Sequence, residues 1–422
     1  SGSGSGSGSG SLRAEWTLAT MLRAPPYAVP KGVANVVAHV PTGWDPTKKI
    51  DLVIYFHGAV QCAAQLAQVG DVVCKPGDAP LGGYGYDARH DDAGKNTLFA
   101  LPQFAFFGGG SAGKMTEQGY FTSFVAELMS ETFAGGAGGP HGLDDVGSIT
   151  LVGHSAGFNP VLTILSRGEL AAKVRNVVLL DAMFAGGEDY YADWFAKKSL
   201  DAMAPAPKFV AVYGDSGDSS HHHASVVKKL KAKAAKLAYL PLGPKGSLVD
   251  LIRDNDVVVT TLPVNHYWMP TMLLSKVIAG LDLPARAMVV PSVVGAVPVR
   301  VSLGLDAKVA GSLDEGDATL TNGAFADEYA LKVAAGDAVT VSTSGGKSLT
   351  ETCCTVDVLT QVFDGDTLVA SDDDGAGLFD SRIVFTAKTA TTYTVRVTTS
   401  GAGYKRGPYS VSVARGASPS GL

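Results

Sequence analysis

The chain of 422 residues is poor in charge and in cysteine. Charged residues make up 18% of it, and 34 Lys and Arg stand against 40 Asp and Glu, leaving a net charge of −6. No long Lys/Arg run offsets that balance. A nucleic-acid binder needs a basic face against phosphate, so that class of partner is excluded. An unbroken apolar stretch of about 18 residues is missing as well, so no membrane span is expected. The four cysteines, Cys62, Cys74, Cys353 and Cys354, include no CxxC spacing, and no zinc centre is expected. What is abundant is apolar side chain, at 46% hydrophobic, which excludes general disorder. Glycine is also abundant, at 51 residues, and marks many loops and turns. The length exceeds what one core organises, so two domains are expected.

The opening SGSGSGSGSG is a flexible low-complexity stretch, and residues 1–11 are set aside as a linker or tag. Residues 12–285 then alternate strand-like and helix-like segments. VANVVAHV (33–40), IDLVIYF (50–56), TLFALPQF (97–104), ITLV (149–152), VRNVVLL (174–180), KFVAVY (208–213) and VVVTTL (257–262) read as strands. Residues 120–133 carry Phe121, Phe124, Val125, Leu128 and Met129 at helical spacing, and 224–237 is Ala/Lys-rich. Strands separated by helices predict an α/β domain, a mostly parallel sheet covered on both faces. Past residue 286 the helical signal stops. A Pro-containing connection (286–301) leads into short β runs over 302–415, predicting an all-β sandwich, with 416–422 as a tail.

Chemistry concentrates at GSITLVGHSAG, residues 147–157. Gly-x-Ser-x-Gly between a strand and a helix makes a strained turn that lifts the serine hydroxyl over the sheet. The helix start adds free N–H groups and a favourable dipole for developing negative charge. Ser155 is therefore the candidate nucleophile. A base must follow, and His266 in VNHYW comes just after the last predicted strand. The acid that orients it is Asp181, which ends VRNVVLL beside apolar Ala182-Met183-Phe184; a buried carboxylate there needs a partner. Asp215 and Asp218 in YGDSGDSS are the alternatives. HGA, at the end of IDLVIYF, supplies an oxyanion loop. The two N–H donors would come from Ala156 and from Ala59 or Gly58. The His57 side chain is read as a brace of that loop. His221–His223 is read as a solvated helix start, because consecutive helical residues fan out by about 100°.

These pieces carry a resemblance. VVAHVPTGWDP, VIYFHG, TLFALPQFAF, GSAGKMTEQGYFTSFVAE, GHSAG and VVLLDAMFAG resemble the α/β-hydrolase superfamily, and within it secreted bacterial hydrolase-like proteins. The resemblance implies a Ser-His-Asp hydrolase, carried by Ser155, His266 and Asp181. HGAVQCAA is similar to the HGCxQ loop of polyester depolymerases and feruloyl esterases, with Ala59 where those have cysteine. Downstream, GSLDEGDAT, DEYALKVAAGDAVTVST, TVDVLTQVFDGDTLVASDDDG, DSRIVFTAKTATTYTVRV and GPYSVSV resemble the bacterial pre-peptidase C-terminal domain. That resemblance implies an exported hydrolase, secreted or on the cell surface. A Cys62–Cys74 disulfide closing a short loop suits such a compartment, while no pairing is assigned to Cys353 and Cys354.

A carboxylic ester, small or polymeric, is the expected substrate, and a monomer is expected. A peptidase or amidase with the same triad, or a non-catalytic surface-binding protein, is the alternative. Tyr84, Tyr86, Phe106, Phe107, Tyr267 and Trp268 either line an apolar cleft or serve as loop packing. No cofactor is expected. The acidic run Asp372-Asp373-Asp374 is a solvated turn or, as the alternative, holds a structural Ca²⁺ with Asp364 and Asp366 nearby.

Overall fold

A computed structural model describes the chain except residues 1–15, 21, 24, 28, 30–33, 60, 69–70, 105–110, 135–140, 185, 201–204, 215–219, 232–235, 242–246, 288–289, 296–300, 347–355, 378, 401–405 and 417–422. The first half alternates strand and helix. Its strands are β1 (Trp16–Thr20), β2 (Val36–Val40), β3 (Ile50–Phe56), the short pair β4 (Asp71–Val72) and β5 (Leu81–Gly82), β6 (Thr97–Pro102), β7 (Val146–His154), β8 (Val174–Leu180), β9 (Lys208–Tyr213), β10 (Leu237–Pro241) and β11 (Val257–Thr261). Its helices are α1 (Ala63–Ala67), α2 (Tyr86–Asp92), α3 (Tyr120–Phe133), α4 (Phe158–Arg167), α5 (Glu188–Leu200), α6 (Ser220–Leu230), α7 (Leu248–Asp254) and α8 (Met269–Gly280).

Nine strands form one sheet in the order β1-β2-β6-β3-β7-β8-β9-β11-β10. Strand β2 runs antiparallel to β1 and β6, and from β6 onward neighbours are parallel. Side-chain alternation splits β3 between two cores. Leu52, Ile54 and Phe56 join Phe121, Phe124, Val161 and Tyr191 on one face, while Val53 and Tyr55 join Leu66, Tyr86, Ile252 and Leu273 on the other. Burial on both faces is why IDLVIYF reads as one continuous apolar run. The parallel arrangement also puts the C-terminal ends of β3, β7, β8 and β11 along one edge, where a ligand site of an open α/β sheet belongs.

The second half is β throughout: β12 (Val293–Val294), β13 (Val301–Leu303), β14 (Lys308–Leu313), β15 (Ala318–Leu320), β16 (Phe325–Val333), β17 (Ala338–Gly345), β18 (Val358–Asp364), β19 (Thr367–Asp372), β20 (Asp380–Thr386), β21 (Thr391–Thr399) and β22 (Gly407–Arg415). A seven-stranded and a four-stranded sheet enclose Leu331, Val341, Val362, Val395 and Val411. Part of the connection read as a linker pairs into this sandwich, because β12 hydrogen-bonds to β15 and β13 to β16. Strand β10 begins at Leu237, where the Ala/Lys pattern had suggested a continuing helix.

The two halves meet through buried charge. Lys276 of α8 is fully enclosed, with its Nζ 2.6 Å from Asp374, 3.2 Å from Asp357 and 3.7 Å from Asp373. Surrounding carboxylates raise the Lys276 pKa even though burial opposes it. The acidic turn is therefore not simply solvated: Asp374 is buried against this ammonium. Among the described residues, no group of three or more His, Cys, Asp or Glu has the arrangement of a metal site.

Candidate active site

Strand β7 delivers Ser155 to the C-terminal edge of the sheet. The serine has φ 52°, a left-handed backbone that costs a non-glycine residue about 1–3 kcal/mol. The turn is tight because two glycines leave no room for a side chain at either position. A Cβ on Gly157 would fall 2.0 Å from the Phe56 carbonyl oxygen, and one on Gly58 would fall 3.0 Å from Ser155 Cβ. The end of β3 is thus pressed against the nucleophile turn.

His266 follows β11 and reaches Ser155 across the edge. Its Nε2 lies 2.9 Å from Ser155 Oγ, and its Nδ1 lies 2.7 Å from Asp181 Oδ2. Asp181 is 1% exposed, and its N–H donates to the Val212 carbonyl at 2.7 Å, extending the β8–β9 ladder. It too has a left-handed backbone, with φ 44°. The three side chains predicted from sequence therefore converge. Asp215 and Asp218 lie outside the described residues.

The oxyanion loop is held by a polar network. The His57 Nδ1–H donates to the Gly58 carbonyl at 2.7 Å, and its Nε2 accepts the Phe104 N–H at 2.9 Å. Burial lowers the His57 pKa to about 4, so the ring is neutral at ordinary pH and braces the loop. The Gly58 N–H donates to Gln61 Oε1 at 2.8 Å, which commits it elsewhere and leaves Ala59 as the donor candidate on this loop. The Ala156 N–H sits in the first helical turn after Ser155, where amides lack intrahelical acceptors. Gln103 ties the assembly together: its Oε1 accepts the Ala63 N–H at 2.7 Å, and its Nε2 donates to the Phe104 carbonyl at 2.7 Å. Sequence reasoning missed Gln61 and Gln103; Gln61 stands three residues past Gly58, a spacing that allows its side chain to turn back. Next to it, Cys62 and Cys74 form a disulfide with Cα atoms 6.0 Å apart, immediately before α1. Cys353 and Cys354 lie outside the described residues.

The aromatics divide. Tyr267 is 72% exposed, with its ring edge-on to His266 at 5.3 Å. Tyr84 and Trp268 pack together at 6.1 Å, and Tyr86 is fully buried core. Phe106 and Phe107 lie outside the described residues. His222 pairs with Glu188 at 2.6 Å, and His223 is buried 4.0 Å from the Tyr213 ring, so this helix start packs onto the sheet and is not a solvated one. A cleft of about 690 Å³ lies at the seam of the two halves, lined by Asp91, Asp92, Arg286, Gln361 and Asp373 among others; Ser155, Asp181 and His266 are not among its walls.

Residues 326–399 match the family model of the bacterial pre-peptidase C-terminal domain. Among solved structures, the chain is similar to such a domain of a collagenase from Bacillus anthracis, with 20% identity, TM-score 0.21, and 28% of this chain and 98% of that one covered. It is also similar to a feruloyl esterase module from Clostridium thermocellum complexed with sinapinate, with 12% identity, TM-score 0.40, and coverage of 60% and 85%. A Bacillus licheniformis lipase in its propeptide form aligns at 11% identity, TM-score 0.28, and coverage of 93% and 78%. No curated protein matches. The first half is thus a nine-stranded mixed sheet with helices on both faces, and the β-rich second half carries the stretch, residues 326–399, that matches the pre-peptidase C-terminal model.

Proposed function

We propose that the chain is a secreted serine hydrolase acting on carboxylic esters as a monomer. The observation that carries this reading is the unbroken line from Ser155 Oγ through His266 to Asp181, at 2.9 and 2.7 Å. Ser155 Oγ attacks the ester carbonyl carbon while His266 Nε2 takes its proton. The carbonyl oxygen becomes an oxyanion and receives hydrogen bonds from the Ala156 and Ala59 amides. The tetrahedral intermediate collapses as His266 returns the proton to the leaving alcohol. An acyl-Ser155 ester remains. Water, deprotonated by the same imidazole, then releases the acid and restores the serine. Asp181 holds the Nδ1–H tautomer and offsets the imidazolium charge; its burial makes His266 its natural counter-charge.

Export is supported by the C-terminal domain and by the disulfide beside the oxyanion loop. A peptidase reading draws on that same domain, because the pre-peptidase C-terminal family takes its name from peptidases. The test is a fluorophosphonate probe on the wild-type chain and on Ser155→Ala. Labelling of the wild type alone supports the reading, and an unlabelled native wild type overturns it. Ester and amide substrates of one acyl group, run side by side, then separate esterase from peptidase.

A further inference from the structure

His154 precedes the nucleophile by one residue and is almost wholly enclosed, at 1% exposure. Its Nε2 lies 2.9 Å from the carbonyl oxygen of His266, and the two rings are 4.9 Å apart. A carbonyl only accepts, so Nε2 carries the proton and donates. The tautomer is thereby fixed, and Nδ1 is left as a lone pair. That atom is buried and has no hydrogen-bond partner among the described residues. It faces the oxyanion loop, since a Cβ on Gly58 would lie 3.3 Å from it. One imidazole is thus wedged between the loop that carries the base and the loop that carries the oxyanion donor. Its own backbone leads directly into Ser155.

The charge state matters here. Burial disfavours a cation here most, and His266 and His57 act with it; together they outweigh Asp181 and the hydrogen bond to the His266 carbonyl and lower the His154 pKa to about 3. A protonated His154 would repel the His266 imidazolium that forms during turnover. A neutral donor gives orientation without that repulsion.

We propose that His154 is a positioning residue that holds His266 through its main-chain carbonyl and keeps base, nucleophile and oxyanion loop in one register. The proposal rests on the Ser155–His266–Asp181 reading above. The hydrogen bond to His266 acts on the base that serves both acylation and deacylation, so its loss slows both steps without altering ground-state binding of substrate.

The test uses His154→Gln, which keeps an N–H donor at nearly the same reach, with His154→Leu and the shorter His154→Asn, which do not. Turnover of a p-nitrophenyl ester, fluorophosphonate labelling rate and thermal unfolding are measured on each. The expected result is a kcat about 100-fold lower for Leu and Asn, as for a misplacement of about 1 Å, with KM within about 2-fold. Labelling slows by a similar factor, and Gln recovers kcat to within about 5-fold of wild type. A folded Leu or Asn variant with wild-type kcat overturns the proposal. So does a folded Gln variant as slow as Asn. If Leu fails to fold, the Gln-against-Asn contrast decides alone. A wild type that neither labels nor turns over ester instead overturns the triad reading, an outcome distinct from any difference among the variants.

Discussion

Two buried carboxylates, Asp181 and Asp374, show how one physical problem has two solutions in this chain. Each is almost fully removed from water, and each faces a nitrogen cation or potential cation within hydrogen-bonding distance. At the sheet edge the partner is His266, whose side chain is still 20% exposed, and its other nitrogen points to a hydroxyl. At the seam the partner is Lys276, whose side chain is 0% exposed and meets only carboxylates among its ion pairs. A buried charge with a reachable, titratable partner suits the proton transfer proposed for Ser155 and His266. A buried charge with a sealed, permanently charged partner serves docking. The desolvation cost is common to both, and the geometry of the partner's far side decides the use.

The largest expected effect falls at the edge. Ser155→Ala removes the nucleophile and lowers kcat by about 10⁶-fold, read in an ester assay with active-site titration. Asp181→Asn keeps the shape but leaves an amide against His266, so kcat falls by about 10⁴-fold with the fold intact by circular dichroism. Activity near wild type in that variant would break the comparison at its first member. At the seam, Lys276→Met strands Asp357 and Asp374 without a cation, costing about 3–5 kcal/mol in denaturant unfolding while Ser155 still labels in the folded protein. Next in size is the disulfide. Cys74→Ser removes a short-loop crosslink worth about 2–3 kcal/mol, and the loss of stability is read from the shift in urea midpoint.

The smallest effect is pH dependence of the seam, and its sign follows from two groups. Three carboxylates share one ammonium, and burial with the repulsion of Asp373 and Asp357 raises the Asp374 carboxyl above its ordinary range against the pull of Lys276. The folded state therefore keeps its Asp374 proton to higher pH than the unfolded chain, and stability falls as pH rises from the ordinary carboxylate range through the raised folded one. The raised Lys276 pKa acts in the same direction. Its contribution is complete below the ordinary lysine range and is lost in strong alkali. Melting at pH 9 is therefore expected below melting at pH 6, and Asp374→Asn should flatten the difference.

The edge was far more legible in the sequence than the seam. Gly153-His154-Ser155-Ala156-Gly157 is a local pattern, and Asp181 and His266 each sit at the end of a strong β signal, so chain order alone places them on one edge. In the nine-stranded sheet, the strands that escaped notice are the outer ones. β1 is the edge strand, and β10 lies behind an Ala/Lys-rich segment that satisfies helical spacing as well. Lys276 could not be found by any local pattern, because its meaning depends on Asp357 and Asp374, about 80 to 100 residues away in the chain. For the same reason Asp372-Asp373-Asp374 read as a solvated turn. His154 was visible as a residue but not as a contact, since its target is a main-chain carbonyl, which leaves no trace in residue identity.

The pressing of Gly157 onto the Phe56 carbonyl has a consequence for how this molecule can change. At Gly157 the Ser155 turn and the end of β3 meet main chain against main chain, with no room for a side chain between them. Substrate range can therefore drift at exposed rim positions such as Tyr267 while the Gly157–Phe56 contact stays in place. In protein-engineering terms, position 157 admits no side chain at all, whereas the rim of the site is open to change.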